Sequence, residues 1–125
     1  MSGSKRPAPH PGPRCATHHR DARKASKQLA HYRWIYKTYG ITGEQYDALY
    51  EAQGRRCGIC RRATGRSKRL AVDHDHKTGY VRGLLCSTCN NILGYLRDDP
   101  EVARNVADYL ITPPAFKTIG QVKPE

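Results

Sequence analysis

The segment Cys57-Gly-Ile-Cys60 is followed, after 25 intervening residues, by Cys86-Ser-Thr-Cys89, and Val72-Asp-His-Asp-His76 lies between the two cysteine pairs. A Cys-x-x-Cys motif can chelate one ion from a tight turn, and two such motifs complete a closed tetrahedral zinc site. The sequence therefore predicts a structural Zn²⁺ with four thiolate ligands: Cys57, Cys60, Cys86 and Cys89. Buried structural cysteines and a redox pair are the alternatives, but redox motifs of this kind usually occur singly beside a strand-helix unit.

The size and the cysteine count favour a metal-stabilised domain. The chain has 125 residues. Once the basic, proline-rich N-terminus is set aside, about 80 residues remain for a core that burial alone would stabilise only marginally. Five cysteines are an odd number, and no export signal is visible, so a disulfide framework is not expected. Cys15 is expected to be a free thiol, next to surface histidines at His18 and His19.

The positive charge is concentrated in two blocks. The net charge is +11, with nine basic groups and one acid in residues 1–37 and seven basic groups without an acid in residues 55–69. Such blocks favour a polyanionic partner, and we predict DNA-phosphate contacts from the second block: Arg55, Arg56, Arg61, Arg62, Arg66, Lys68 and Arg69. No apolar run reaches membrane-spanning length, so a soluble intracellular protein without a membrane partner is expected.

Four segments are predicted along the chain. Residues 1–19 form a disordered basic arm, residues 20–39 a basic amphipathic helix, residues 40–112 the main domain, and residues 113–125 a C-terminal tail. In the basic helix, Tyr32 shares the periodic face with Tyr36 and is expected to pack in a core. Stacking of these aromatic rings on unpaired bases is the alternative.

The main domain is predicted to be α+β. Thr42 begins a Thr-x-x-Gln capping box, which indicates a helix start. Short strands at 70–73 and 80–85 flank a segment of turn composition and are expected to form a hairpin. Further helices are expected from about Ser87 and from about Asp98.

The hairpin and the next helix are expected to bring four polar side chains into one shallow cleft. Asp73 and His74 end the first strand, His76 follows in the turn, and Asn90 is bonded directly to the predicted zinc ligand Cys89. Carboxylate and amide oxygens suit Mg²⁺ or Mn²⁺, and an imidazole can take a proton from a water aligned with a phosphorus atom. The cluster therefore indicates a one-metal hydrolase. A solvated turn, or histidines acting as alternative zinc ligands, are the simpler interpretations.

The combined motif, Cys-x-x-Cys, then Val-Asp-His-Asp-His, then Gly-Leu-Leu-Cys-x-x-Cys-Asn-x-x-Leu-Gly, resembles the phage recombination endonuclease VII family over about residues 39–110. This family lies within the wider His-Me finger (HNH-like) nucleases. The resemblance implies a zinc-stabilised ββα-metal core, cleavage of branched DNA such as four-way junctions, and a homodimer that nicks two strands. It also implies that Asp73 and Asn90 hold Mg²⁺, that His74 is the general base, and that His76 is auxiliary near the scissile phosphate. A phage-encoded protein in the cytoplasm of a bacterial host is implied as well.

Two alternative functions stay open at this point. One is an HNH-like endonuclease that nicks ordinary duplex DNA during phage packaging or host-DNA degradation. The other is a zinc DNA-binding module without catalysis, which would use the same basic surface. Asp75 is expected to have no direct role in either chemistry.

Overall fold

The structure, a computed structural model, describes the backbone of residues 16–125 and the side chains from His19 onward. Within this range the fold is α+β, as predicted, with five helices and a two-stranded sheet. The elements are α1 (Ala16–Tyr39), α2 (Gly43–Ala52), β1 (Ala71–His74), β2 (Val81–Leu85), α3 (Ser87–Tyr95), α4 (Pro100–Ile111) and α5 (Pro114–Thr118). The chain divides into two compact units, one ending at Ala52 and one from Gln53 to Glu125.

The helix boundaries of the first unit follow local sequence signals. α1 ends before Gly40, whose φ of +82° suits a residue without a side chain. At the start of α2 the Gln45 amide N–H donates to Thr42 Oγ1 at 3.1 Å, and the Thr42 amide donates to Gln45 Oε1 at 2.8 Å. This reciprocal pair confirms the predicted capping box.

The two helices of the first unit meet through aromatic side chains. The Tyr32 hydroxyl donates to Asp47 Oδ2 at 2.7 Å, and the His31 ring meets the Tyr46 ring edge-on at 5.1 Å. Tyr36, which the periodicity assigned to a core, is 61% exposed, whereas its neighbour Ile35 is fully buried. The predicted core face is therefore wrong at Tyr36.

The hairpin of the second unit forms close to the predicted strands. β1 pairs antiparallel with β2, with Val72 opposite Leu84 and Asp73 opposite Gly83. The next pair is His74 with Val81, so Arg82 is one extra residue on β2 and forms a β-bulge. The sheet therefore changes its register beside the predicted catalytic residues.

The helices after the hairpin begin at clear caps. Cys86 caps α3, with its Sγ accepting a hydrogen bond from the Cys89 amide, and Asp99 caps α4 by accepting from the Glu101 amide at 2.9 Å. Pro100 occupies the first turn of α4, where its missing N–H costs nothing. The apolar residues of α4 stay exposed in this unit: Val102, Val106, Tyr109, Leu110 and Ile111.

Residues 1–15 of the predicted arm lie outside the described residues. Residues 16–19 are helical, so α1 begins before the predicted position 20. The last N-terminal proline is Pro13, and the next four helix positions hold no helix-breaking residue. None of the helices within residues 16–125 has the length and apolar content needed to cross a membrane. The other predicted segment boundaries remain predictions.

Candidate functional site

The four predicted zinc ligands come together. The Sγ atoms of Cys57, Cys60, Cys86 and Cys89 all lie within 4.8 Å of one another. The Sγ atoms of Cys60 and Cys86, which come from different motifs, are 4.0 Å apart. Tetrahedral coordination with metal-sulfur bonds of about 2.3 Å places sulfur atoms about 3.8 Å apart. The cluster can therefore hold a structural metal such as zinc.

Backbone amides prepare the first motif for thiolate ligands. Burial raises the pKa of the Cys57 thiol, but hydrogen bonds from the backbone at Cys86, Ile59 and Cys60 together outweigh burial and lower this pKa to about 6. Amides of Ala63 and Arg62 lower the pKa of Cys60. Metal ligation requires thiolates, so these amides favour the ligand form of the two cysteines.

The second motif has a different electrostatic setting. Burial is the main cause that raises the pKa of the Cys89 thiol to about 12. A bound cation would supply the positive charge that this buried sulfur needs in order to ionise. Because Cys89 precedes Asn90 in α3, the ligand cluster also fixes the start of the helix that carries Asn90.

Gln53 connects the first cysteine motif to the sheet. Its Nε2 donates to the carbonyls of Arg56 and Leu84, both at 2.9 Å, and its Oε1 accepts from the Leu84 amide at 2.8 Å. The Gly58 amide donates to the same Leu84 carbonyl at 3.0 Å. The side chain thus pairs with β2 in the way that a neighbouring strand would. Sequence reasoning missed Gln53, because nothing in its local pattern distinguishes it from a surface glutamine.

Asp73 is buried and paired with Arg82. Its side chain is 7% exposed, and its two carboxylate oxygens accept from Arg82 Nε at 2.7 Å and from Arg82 Nη2 at 3.0 Å. Arg82 Nη2 also contacts Asp98 Oδ1 at 3.3 Å. Hydrogen bonding to Asp73 is the main cause that raises the pKa of Arg82. The sequence pattern indicated Asp73 as a site residue but indicated neither Arg82 nor Asp98.

A cavity of about 550 Å³ adjoins this ion pair. Its lining includes Asp73, His76, Arg82, Asn90 and Asp98. Three of the four predicted catalytic side chains therefore reach one cavity between the hairpin and α3, where hard oxygen donors and an imidazole share the same space.

His74, the fourth predicted catalytic residue, does not line this cavity but lies beside His76, which does. The His74 ring centroid lies 4.8 Å from that of His76, with the ring planes tilted by 42°. His76 Nδ1 lies 3.6 Å from Asp98 Oδ2 and its side chain is 72% exposed. The two imidazoles therefore form one cluster, of which His76 borders the cavity.

Asp75 organises the hairpin turn. Its Oδ1 accepts from the Lys77 amide at 2.7 Å and from the Thr78 amide at 3.1 Å. The Asp75 amide donates to the Tyr80 carbonyl at 2.8 Å, and the Asp75 carbonyl accepts from the Gly79 amide at 2.7 Å. The Lys77 hydrogen bond is the main cause that lowers the pKa of the Asp75 carboxyl. These hydrogen bonds show that Asp75 stabilises the hairpin turn.

The predicted basic block surrounds the first cysteine motif and leads into β1. All seven of its side chains are exposed: Arg55, Arg56, Arg61, Arg62, Arg66, Lys68 and Arg69. Arg55 and Arg61 adopt left-handed backbone conformations, with φ of +60° and +57°. Non-glycine residues pay about 1–3 kcal/mol for such conformations. Cys15 and the side chain of His18 lie outside the described residues.

Comparison with known proteins assigns the family. Residues 32–112, more than half of the chain, match the family described as recombination endonuclease VII. The chain belongs to the recombination endonuclease VII family. The resemblance noted from the sequence is thereby confirmed. The match begins within α1 and extends just past α4, so it includes the cysteine cluster and the cavity.

Two phage proteins are similar to almost the whole chain. The Gene 59 protein of Mycobacterium phage D29 is 56% identical over 117 residues, which cover 93% of this chain and 71% of that protein. The Gene 59 protein of Mycobacterium phage L5 is 55% identical with the same coverage. Membership of an endonuclease family implies a nuclease with DNA as its substrate.

Proposed function

We propose that this protein is a Mg²⁺-dependent DNA endonuclease of the His-Me finger type, stabilised by a structural Zn²⁺ and selective for branched DNA such as four-way junctions. The single observation that supports this most directly is the placement of Asp73, His76 and Asn90 on one cavity next to the four-thiol cluster. The β1-β2 hairpin followed by α3 has the element order of a ββα-metal core.

In this proposal Asp73 and Asn90 would hold Mg²⁺, and the bound ion would supply positive charge to the scissile phosphate. His74 takes the proton from the attacking water, and His76 lies near the phosphate. Adjacent residues on a regular strand point to opposite faces, which would separate Asp73 from His74. A joint role for these two residues is supported instead by the contact between the His74 ring and that of His76, which lines the cavity together with Asp73.

Junction cleavage by wild-type protein and by His74→Ala tests this proposal. Four-way junction, duplex and single-stranded DNA are incubated side by side with Mg²⁺, with Mn²⁺ or with EDTA. We expect metal-dependent cleavage that is fastest on the junction. The His74→Ala variant should cut about 10²–10⁴-fold more slowly, which is the usual contribution of a general base.

The controls separate catalysis from folding. Zinc content and junction affinity of His74→Ala should match the wild type, and His19→Ala, which removes an imidazole from α1, should cut normally. Equal rates on junction and duplex would favour the nicking enzyme. Wild-type protein that binds DNA but never cuts it with either metal would favour the zinc DNA-binding module.

The basic block around the first cysteine motif is proposed to bind DNA phosphates. Each phosphate contact should steepen the fall of affinity with salt, because DNA binding by cations releases counterions. Replacing Arg61 and Arg62 by Ala should weaken junction binding and reduce the salt slope by about 2. Affinity that changes little between 50 and 200 mM salt would contradict this role.

A homodimer is part of the same proposal. The exposed apolar residues of α4, such as Val106 and Leu110, offer a surface that a second copy can cover. Sedimentation equilibrium should give twice the monomer mass, and Leu110→Glu should shift the protein toward monomer. A monomer at micromolar concentration that still cuts both strands would contradict the dimer.

A further inference from the structure

Arg82 lies between two carboxylates that border the same cavity. Its guanidinium binds both oxygens of Asp73 and also contacts Asp98 Oδ1 at 3.3 Å. The Arg82 side chain is 33% exposed, Asp98 is 27% exposed and Asp73 is 7% exposed. The positively charged Arg82 guanidinium is thus shared between the buried Asp73 carboxylate and the more accessible Asp98 carboxylate.

The β-bulge is what allows this contact. Asp73 is paired with Gly83, so in a regular ladder the next residue, Arg82, would point to the opposite face of the sheet. The extra residue in β2 re-aims Arg82 toward Asp73. The contact is therefore specified by strand register and is not an incidental meeting of two long side chains.

Arg82 and a divalent cation need the same atoms. A carboxylate ligates Mg²⁺ or Mn²⁺ through its oxygens, and a bidentate guanidinium occupies both of them. Asp98 stands within reach of the same guanidinium, so Arg82 can give up one or both bonds to Asp73 without losing a charged partner.

We propose that Arg82 is a positioning residue that controls access of the divalent cation to Asp73, moving its hydrogen bonds to Asp98 when the cation binds. This inference rests on the proposed function, in which Asp73 is a cation ligand. While paired with Asp73, Arg82 holds both oxygens of the buried carboxylate in a fixed orientation. The same pairing makes Arg82 compete with the divalent cation for the Asp73 oxygens.

Mn²⁺ binding in the absence of DNA tests the proposal directly. The dissociation constant of the zinc-loaded protein is measured by electron paramagnetic resonance of free Mn²⁺. Arg82→Met removes the competitor and should tighten Mn²⁺ binding about tenfold, the size expected for losing a charged hydrogen bond. Asp98→Asn removes the alternative acceptor and should weaken Mn²⁺ binding several-fold.

A double-mutant cycle separates this transfer from simple charge effects. A negative charge near the site would favour Mn²⁺ in any case, so Asp98→Asn alone is not decisive. If Arg82 transfers to Asp98, then Asp98→Asn should weaken Mn²⁺ binding clearly less when Arg82 is already Met than when Arg82 is present. If the two substitutions instead change affinity by independent factors, the transfer is overturned.

Two further variants serve as controls for the change in charge. Arg104 pairs with Glu101 at 3.4 Å on exposed α4, so Arg104→Met makes the same charge change away from the cavity and should leave Mn²⁺ affinity unchanged. Arg82→Lys keeps the charge but loses the bidentate geometry, and it should bind Mn²⁺ with an affinity between those of wild type and Arg82→Met. If Arg82→Met does not fold, the lysine variant carries the same comparison.

Asp73→Asn distinguishes failure of the inference from failure of the proposed function. If Mn²⁺ binding is unaffected by Asp73→Asn, then Asp73 is not a cation ligand and the proposed function fails with the inference. If Asp73→Asn abolishes binding while Arg82→Met and Arg82→Lys leave it at the wild-type value, the competition is overturned and the proposed catalytic site stands.

Discussion

The cysteine cluster and the Asp73 cavity lie in the same unit, and they prepare their donor atoms in opposite ways. In the cysteine cluster all four sulfur atoms converge to within 4.8 Å of one another. In the cavity the central carboxylate is already bound by Arg82. A closed site with four thiols suits a permanent structural ion, whereas a carboxylate shared with a side chain suits an ion that exchanges.

This difference assigns the two sites different tasks. The cysteine cluster joins the loop after Gln53 to the start of α3, and it thereby sets the position of Asn90. The cavity uses this framework but depends on its own ion pair for the orientation of Asp73. Perturbing the first site should therefore damage both sites, and perturbing the second should damage only one.

The largest expected effect comes from breaking the cysteine cluster. Cys89→Ser should abolish stoichiometric zinc and cooperative unfolding of the second unit, because structural zinc supplies about 10–16 kcal/mol of binding free energy in small zinc domains. Zinc analysis and circular dichroism measure this outcome. Cys15→Ser is the matched control, since it removes a thiol outside the two motifs. If Cys89→Ser unfolds like the wild type, the cysteine cluster does not have a structural role.

Asp73→Asn should break the cavity while leaving the cysteine cluster intact. Junction cleavage should fall by about 10²-fold or more, in line with the loss of one electrostatic contribution at a reacting centre. Zinc content should remain one equivalent, as measured by metal analysis. Asp75→Asn, which removes the same charge two residues away, should retain most activity. Loss of zinc from the Asp73 variant would mean that the two sites are not separable.

Gln53→Ala should produce an intermediate effect by loosening the link between the first cysteine motif and β2. Three hydrogen bonds are removed, two of them to Leu84, and the free energy of unfolding should fall by about 1–3 kcal/mol. Urea unfolding of zinc-loaded protein measures the change. The exposed Gln121 provides the control substitution to Ala, for which no loss is expected. Equal stability of both variants would contradict the role given to Gln53.

The smallest effect is expected from Asp75→Ala in the hairpin turn. Amide hydrogen exchange at Lys77 and Thr78 should accelerate, since both amides lose their carboxylate acceptor. The folded-state pKa of Asp75 is lowered, so its contribution is complete above the ordinary value of 3.8 and is lost only as the pH falls below it. In the wild type, the protection factors of these two amides should therefore stay constant between pH 5 and 8. If the protection of both amides is unchanged in the variant, the Asp75 carboxylate is not what protects them.

The sequence was most informative where the relevant residues are close together along the chain. The capping box at Thr42, the hairpin turn around Asp75 and the two chelating motifs each involve residues separated by two or three positions, and each forms as a local unit. The helical periodicity of α1 was less informative. It assigned Tyr36 to a core, but burial depends on which neighbours cover a face, and Ile35 was covered instead.

By itself, the sequence determined the α+β class, the four cysteines that cluster and can hold a metal, and the family, because spacing and residue chemistry carry that information. The tertiary structure decided which side chains meet across long separations. Gln53 pairs with Leu84 although the two residues are 31 positions apart in the sequence, and Arg82 binds Asp73 where one extra residue shifts the strand register. Such contacts depend on how two segments align after folding, and no short pattern in either segment encodes that alignment.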